Sequence, residues 1–142
     1  MPSQEKAGAE IGGFMSDSSA YEIAETFFVQ AERGCELVSF LNGLATENDI
    51  AVGAFTAIGA LQSARLAFYD QEARRYIELV DLQAPQELIS CMGTISIRDG
   101  KPFPHAHVVL VDAEGNTRAG HLLEGRVFFA QVCLNKLAGP ED

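Results

Sequence analysis

The strongest constraint on the fold is a series of short strand-like segments that begins at residue 52 and continues almost to the end of the chain. Turn sequences separate several of them: a charged turn at 71–74, Asp99-Gly100, and Glu114-Gly115-Asn116. The segments cover residues 52–61, 63–70, 76–82, 87–97, 104–112, 118–123 and 126–137. Because consecutive strands joined by tight turns pair as hairpins, the pattern predicts a mainly antiparallel sheet of about seven strands.

One principal helix precedes these segments. Its apolar residues are spaced at i, i+3, i+4, i+7 and i+8 and therefore form a single stripe: Leu37, Phe40, Leu41, Leu44 and Ala45. Asn48 and Asp49 are suitable residues for its end. One helix followed by sequential hairpins predicts the α+β fold class.

The composition is typical of one globular domain. The chain has 142 residues, of which 47% are apolar and 21% are charged. Residues 1–20 are rich in Gly, Ser and Ala and predict a flexible N-terminal tail, which leaves an ordered domain at 21–137 and a C-terminal tail at 138–142. Apolar runs are too short to span a bilayer, and no signal-peptide pattern is present. We therefore expect a cytoplasmic protein with no membrane contact.

The charge of the chain disfavours direct binding to nucleic acid. The net charge is −10, and nine basic and fifteen acidic side chains remain when the first twenty and last two residues are set aside. Proteins that bind DNA neutralise its phosphates with a basic surface. The longest basic run here is Arg74-Arg75.

Two of the predicted strands carry apolar side chains on both faces. In strand 104–112, Val109 and Val111 lie on one face, and Ala106, Val108 and Leu110 lie on the other. Strand 126–134 has the same character. A single helix of about four turns covers only part of one face, so the second face needs another cover. A homo-oligomer would provide it, and loops or edge strands are the alternative.

The three histidines of the chain lie within seventeen positions of one another. His105 and His107 alternate along one strand and therefore point to the same face. If the following turn is centred on Glu114, His121 lies directly opposite His107. Three imidazoles in this arrangement can bind a divalent metal such as zinc, and three protein ligands are typical of a catalytic zinc. The alternative is three separate histidines, each hydrogen-bonded or exposed to solvent.

A zinc enzyme would also need a general base or a supporting carboxylate. Glu87, Glu124 and Asp112 are the candidates, with Glu87 as the speculative catalytic base. Each has a simpler role, since Glu124 and Asp112 adjoin turns and Glu87 begins a strand. No Ser-His-Asp spacing, phosphate-binding loop or HExxH motif is present. The sequence therefore supports a bound metal more strongly than a reaction.

The order of motifs resembles that of the plants-and-prokaryotes-conserved (PPC) domain. The matching segments are GAFTAIGAL, ARLAFYD, ELISCMGTIS, DGKPFPHAHVVL and GHLLEGRV, within residues 21–137. The resemblance implies an α+β subunit of a homotrimer. It also implies a metal, expected to be zinc, at His105, His107 and His121. Gln131 is a departure, since relatives often have glutamate in the last strand.

Proteins of the family that this chain resembles are often labelled as DNA-binding proteins. Plant relatives bind AT-rich DNA through a separate Arg-Gly-Arg-Pro hook, and no such hook occurs here. The favoured hypothesis is a regulatory homotrimer of the PPC class with a three-histidine metal site, in which nucleic acid is a partner by family label alone. The alternatives are a zinc-dependent hydrolase or deaminase and a sensor of a small ligand at the same site.

Overall fold

The computed structural model describes residues 18–139, and residues 1–17 and 140–142 of the two predicted tails lie outside it. It contains one helix, α1 (Leu37–Glu47), and six strands. The strands are β1 (Glu22–Ala31), β2 (Gly53–Asp70), β3 (Arg75–Leu82), β4 (Gln86–Arg98), β5 (Lys101–Val111) and β6 (Thr117–Ala138). The α+β class, the mainly antiparallel sheet and the single principal helix are confirmed.

The strands differ from the predicted segments in two ways. Segments 52–61 and 63–70 are one strand, β2, and segments 118–123 and 126–137 are one strand, β6. The pairing of β2 with β6 shifts register near Leu61 and near Leu66, so the breaks in the sequence pattern mark bulges rather than turns. The structure also adds β1, which the sequence analysis did not predict.

The sheet closes on itself through its two long strands. Its order is β1-β6-β5-β4-β2-β3, and β6 also pairs with β2 along nearly its whole length. Because β2 pairs with β4, β4 with β5, and β5 with β6, these four strands form a ring. β1 extends the sheet beside β6, and β3 extends it beside β2.

Helix α1 packs on this ring against β5 and β6. Glu36 caps its start, because the side chain accepts hydrogen bonds from the backbone N–H groups of Val38 and Ser39. The same carboxylate accepts a bond from the N–H of Gly125 in β6, which ties the helix to the sheet. Within the described chain, no helix is long and apolar enough to cross a membrane.

The core lies between α1 and the inner face of the ring. Its largest fully buried side chains are Leu37, Leu41, Ile50, Leu61, Leu66, Leu88, Ile95, Leu110, Leu134, Val127, Val132 and Cys91. Leu37 and Leu41 belong to the predicted helical stripe, and Leu110 belongs to the strand with two apolar faces. These positions confirm that one face of each of these elements is buried inside the subunit.

The opposite face of the sheet exposes large apolar side chains. We call this the outer apolar face and define it by Phe28, Ile58, Met92 and Phe129, which are 71%, 56%, 61% and 41% exposed. Phe28 pairs with Cys133, Cys133 with Thr56, and Thr56 with Met92, so these side chains point to one side of the sheet. Ile58 lies two residues after Thr56 and Phe129 lies four residues before Cys133, so both point to the same side. Within the described residues, neither loops nor edge strands cover this face.

Candidate metal centre

The three histidines converge on the outer side of the sheet. His107 on β5 lies directly opposite His121 on β6, which is the register that a shared site requires. His105 lies two residues before His107 and therefore points to the same side. The ring centroids of His105 and His107 are 5.0 Å apart, as are those of His105 and His121, and those of His107 and His121 are 6.1 Å apart. One ring nitrogen from each residue lies within 4.8 Å of the other two.

A tyrosine that sequence reasoning missed completes the cluster. The ring of Tyr76, on β3, stacks on the ring of His121 with centroids 4.1 Å apart and an angle of 27° between planes. Its hydroxyl oxygen lies 3.4 Å from Nε2 of His105. Tyr76 pairs with Tyr69 across the turn at 71–74. Its approach to the histidines depends on the pairing of Ala67 with His121, which no local signal reveals.

The environment of the cluster favours neutral imidazoles. Burial lowers the pKa of His121 to about 4, with repulsion from His105 and His107 as the further causes. Burial also lowers the pKa of His105, and the positive charges of His107 and Arg98 add to the effect. A neutral imidazole keeps a free lone pair, which is the form that binds a metal.

One buried nitrogen in the cluster has no hydrogen-bond partner among the described residues. It is Nδ1 of His121. A buried polar atom without a partner is costly, so its presence calls for a further group at this position. A divalent cation bound at this nitrogen would provide one. The donor set, the lowered pKa values of His105 and His121 and the buried Nδ1 therefore fit a metal.

Glu87 does not lie beside this cluster. It is an exposed residue of β4 and pairs with Val111, whereas His107 lies four residues earlier on β5. At ~3.3 Å per residue the two positions are separated by roughly 13 Å. Within the subunit, its position gives no support to the role of base.

The other two carboxylates have structural partners. Glu124 forms ion pairs with Arg65 at 3.0 Å and Arg126 at 3.7 Å. Asp112 accepts hydrogen bonds from Asn116 and from the N–H of Glu114, and the bonds from Asn116 are the main cause of its lowered pKa. Asp112 therefore stabilises the turn beside it. Glu124 lies within β6 at a bulge, so the turn that the sequence predicted at this residue is wrong.

A cleft of about 640 Å³ opens at the histidines. It is lined by Ala67, Phe68, Tyr69, Gln71, Tyr76, Ser90, Met92, His105, His107, Val108, Val109, Ala119, Gly120 and His121. Gln131 is not one of these residues, since it lies ten positions along β6 from His121 and pairs with Ile58 and Gln30. Within one subunit, the departure from the family at Gln131 therefore does not touch the cluster.

Comparison with solved structures finds proteins with the same fold. A plant- and prokaryote-conserved (PPC) protein from Pyrococcus horikoshii is 31% identical, with a TM-score of 0.83 over 87% of this chain and 86% of that one. A metal-containing protein from Archaeoglobus fulgidus is 33% identical, with a TM-score of 0.82 over 87% of each chain. A protein from Bacteroides thetaiotaomicron, whose name proposes DNA binding, is 22% identical, with a TM-score of 0.73 over 89% and 87%.

The family comparison agrees with the structural one. The chain has no match among the curated proteins. The Plants and Prokaryotes Conserved (PCC) domain matches residues 18–138, which include every strand and the helix. Since that match covers most of the chain, and two similar structures exceed 30% identity, the chain belongs to the Plants and Prokaryotes Conserved domain family.

Proposed function

We propose that this chain is a homotrimeric regulatory module that holds a divalent metal, zinc, at His105, His107 and His121. The observation that carries the proposal is the convergence of three ring nitrogens within 4.8 Å. The lowered pKa of His121 supports it, because protons then compete weakly for that ligand. The metal-containing relative from Archaeoglobus fulgidus adds support from outside this chain.

Zinc is the metal that best suits this set of ligands. Imidazole nitrogen is a preferred ligand of zinc, whereas magnesium and calcium prefer oxygen. When bound by three protein ligands, zinc acts as a Lewis acid with a further position for an exogenous ligand. The chain's own residues would hold it from β5 and β6, with Tyr76 fixing the ring of His121 by stacking.

A regulatory role suits the cleft better than a hydrolase or deaminase role does. Among the described residues that line it, none is Asp or Glu. Hydrolysis at a zinc site normally uses such a carboxylate as its general base. The residues present can bind and orient a ligand, and they offer no such base. An enzyme would need that group from another subunit or from its substrate.

Direct contact with DNA has little support from this chain. Its net charge is −10, so a trimer would carry about −30 and would repel phosphate. The similar protein that is named for DNA binding shares 22% of its residues with this one. We therefore propose that regulation acts through a bound ligand or through protein partners. The cytoplasm remains the predicted location.

The proposed trimer would bury the outer apolar face. Phe28, Ile58, Met92 and Phe129 lie on one face of four strands and each is at least 41% exposed. Exposed apolar side chains grouped on one face are typical of interfaces, since burial removes them from water. The face also adjoins the cleft, because Met92 belongs to both. Assembly would therefore enclose the candidate metal centre further.

Replacing Ile58 with lysine is expected to convert the trimer into monomers. The new charge would lie on the outer apolar face, where assembly would bury it without a partner at a large cost in free energy. Sedimentation equilibrium measures the mass of the assembly. Ile97→Lys is the matched control, because Ile97 is also about half exposed but lies beside the Asp99-Gly100 turn. A wild-type protein that is monomeric would contradict the proposed assembly.

Elemental analysis of protein purified without an affinity tag tests the metal proposal. We expect about one zinc ion per chain, because each subunit contributes all three histidines. The measurement should be repeated after removal of the metal and reloading with equimolar zinc. Protein that holds no divalent metal before or after reloading would contradict the proposal.

A further inference from the structure

The wall of the cleft next to the histidines is apolar and aromatic. Tyr69, Met92 and Val109 line it together with Tyr76. Tyr69 pairs with Tyr76 and therefore points to the same face, and it is 41% exposed, so its side chain is available to a molecule that enters the cleft. A volume of about 640 Å³ is in the range of sites for small organic molecules. The chemistry of this wall therefore favours a ligand with an apolar or planar body.

The charge of the cleft favours an anionic head group. Among its described lining residues there is no Asp, Glu, Lys or Arg. A divalent cation held by three neutral imidazoles would keep its double positive charge. In a cleft of low polarity, that charge is strongly attracted to an anion. A carboxylate on the ligand would supply the missing negative charge.

Tyr76 is placed to orient such a head group. Its hydroxyl lies 3.4 Å from Nε2 of His105, and its ring is fixed by stacking on His121 and by edge contact with Tyr69. A phenolic hydroxyl can donate a hydrogen bond to a carboxylate oxygen. Tyr76 is therefore a positioning residue of the cleft, on the side where the histidines converge.

We propose that the cleft binds small organic carboxylates with an apolar or aromatic body. The carboxylate would be held at the histidine-bound metal and by the Tyr76 hydroxyl, and the body would lie against Tyr69 and Val109. This inference rests on the proposed metal site and names the class of ligand that the module would sense. It assigns the apolar wall of the cleft to recognition of that ligand.

Benzoate is the probe, and the protein is the full chain loaded with Co²⁺. The visible absorption spectrum of bound cobalt depends on its ligands. The spectrum appears when cobalt binds to the protein, before any benzoate is added, so metal binding and benzoate binding are measured separately. We expect benzoate to change this spectrum in a saturable way. Benzamide has nearly the same shape without the charge and should leave it unchanged. Acetate should bind at least about tenfold more weakly than benzoate, because it buries less apolar surface.

Two substitutions separate the body of the ligand from its head group. Val109→Ser should weaken the binding of benzoate at least about threefold while the benzoate-free cobalt spectrum stays as in the wild type, because part of the apolar wall is lost. Val111→Ser is the matched control, since Val111 lies on the same face of β5, is also half-buried and does not line the cleft. Tyr76→Phe should weaken the binding of benzoate and of similar carboxylates together, because it removes the hydroxyl that donates the hydrogen bond and keeps the ring.

The possible results distinguish this inference from the proposed metal site. Cobalt binding without any response to benzoate would overturn the ligand class and leave the metal site standing. Equal binding of benzamide and benzoate would overturn the role of the carboxylate. Failure to bind cobalt at all would overturn both proposals. A benzoate response that Val109→Ser leaves unchanged would overturn the assignment of the apolar wall.

Discussion

Replacing His107 with alanine is expected to lower the affinity of the chain for Zn²⁺ by roughly 100-fold or more. His107 supplies one of three converging nitrogens, and the other two cannot by themselves hold the ion as tightly. The side chain is exposed, so its removal leaves no cavity in the core. We expect the free energy of unfolding of the metal-free protein to remain within about 0.5 kcal/mol of the wild type. Competition with a chromogenic chelator measures the affinity, and urea unfolding measures the stability.

Ser96→Ala is the control for this experiment. Ser96 is an exposed residue of the same hairpin, on β4, and is not part of the cluster. Its substitution should leave both zinc affinity and stability unchanged. Should His107→Ala bind zinc as tightly as the wild type, the three-histidine site would be wrong, and separate histidines would be the better description.

Replacing Gly93 with alanine is expected to destabilise the fold by about 3 kcal/mol and to weaken zinc binding as well. A Cβ atom at this position would collide with the backbone oxygen of His105 and with the ring of Phe55. Gly93 lies opposite Ala106, the residue between His105 and His107, so relief of the collision must displace the strand that carries both ligands. Urea unfolding and zinc titration of the same preparation test the two effects.

Gly43→Ala is the contrasting control. Gly43 lies in α1, and a Cβ atom there would meet nothing within 4 Å. Alanine has a higher helix propensity than glycine, so this variant should gain about 0.8 kcal/mol and keep its zinc affinity. If Gly93→Ala were as stable as the wild type, the close approach of β4 to β5 would not be the constraint that we infer.

The sequence was most informative where the determining contacts are local. The stripe of Leu37, Leu41 and Ala45 predicts α1, and these residues are buried in the structure. The turn at Asp99-Gly100 predicts the hairpin of β4 and β5, and the turn around Glu114 predicts that His107 faces His121. In each case the physical cause lies within a few residues: helical periodicity in the first, and turn geometry in the others.

The sequence was least informative where distant segments pair. β1 is an edge strand whose long-range partner is β6, and most of its residues are exposed, so its pattern resembles that of a surface loop. The long strands β2 and β6 were each divided in the prediction, because a bulge and a turn interrupt the alternation in the same way. Only the pairing of β2 with β6 shows that each strand continues past its interruption.

The sequence by itself determined the fold class and the face that His105, His107 and His121 share, because alternation and tight turns fix these locally, and the order of its motifs indicated the family. Only the tertiary structure decided what surrounds them. The pairing of β2 with β6 brings Tyr76 onto His121, buries the unpaired Nδ1 of that residue and leaves Glu87 far away. The sequence predicted three ligands and, speculatively, a base at Glu87. The closed sheet brings the three predicted ligands together, places Tyr76 beside them, and within the described chain leaves Glu87 roughly 13 Å along the strands from His107.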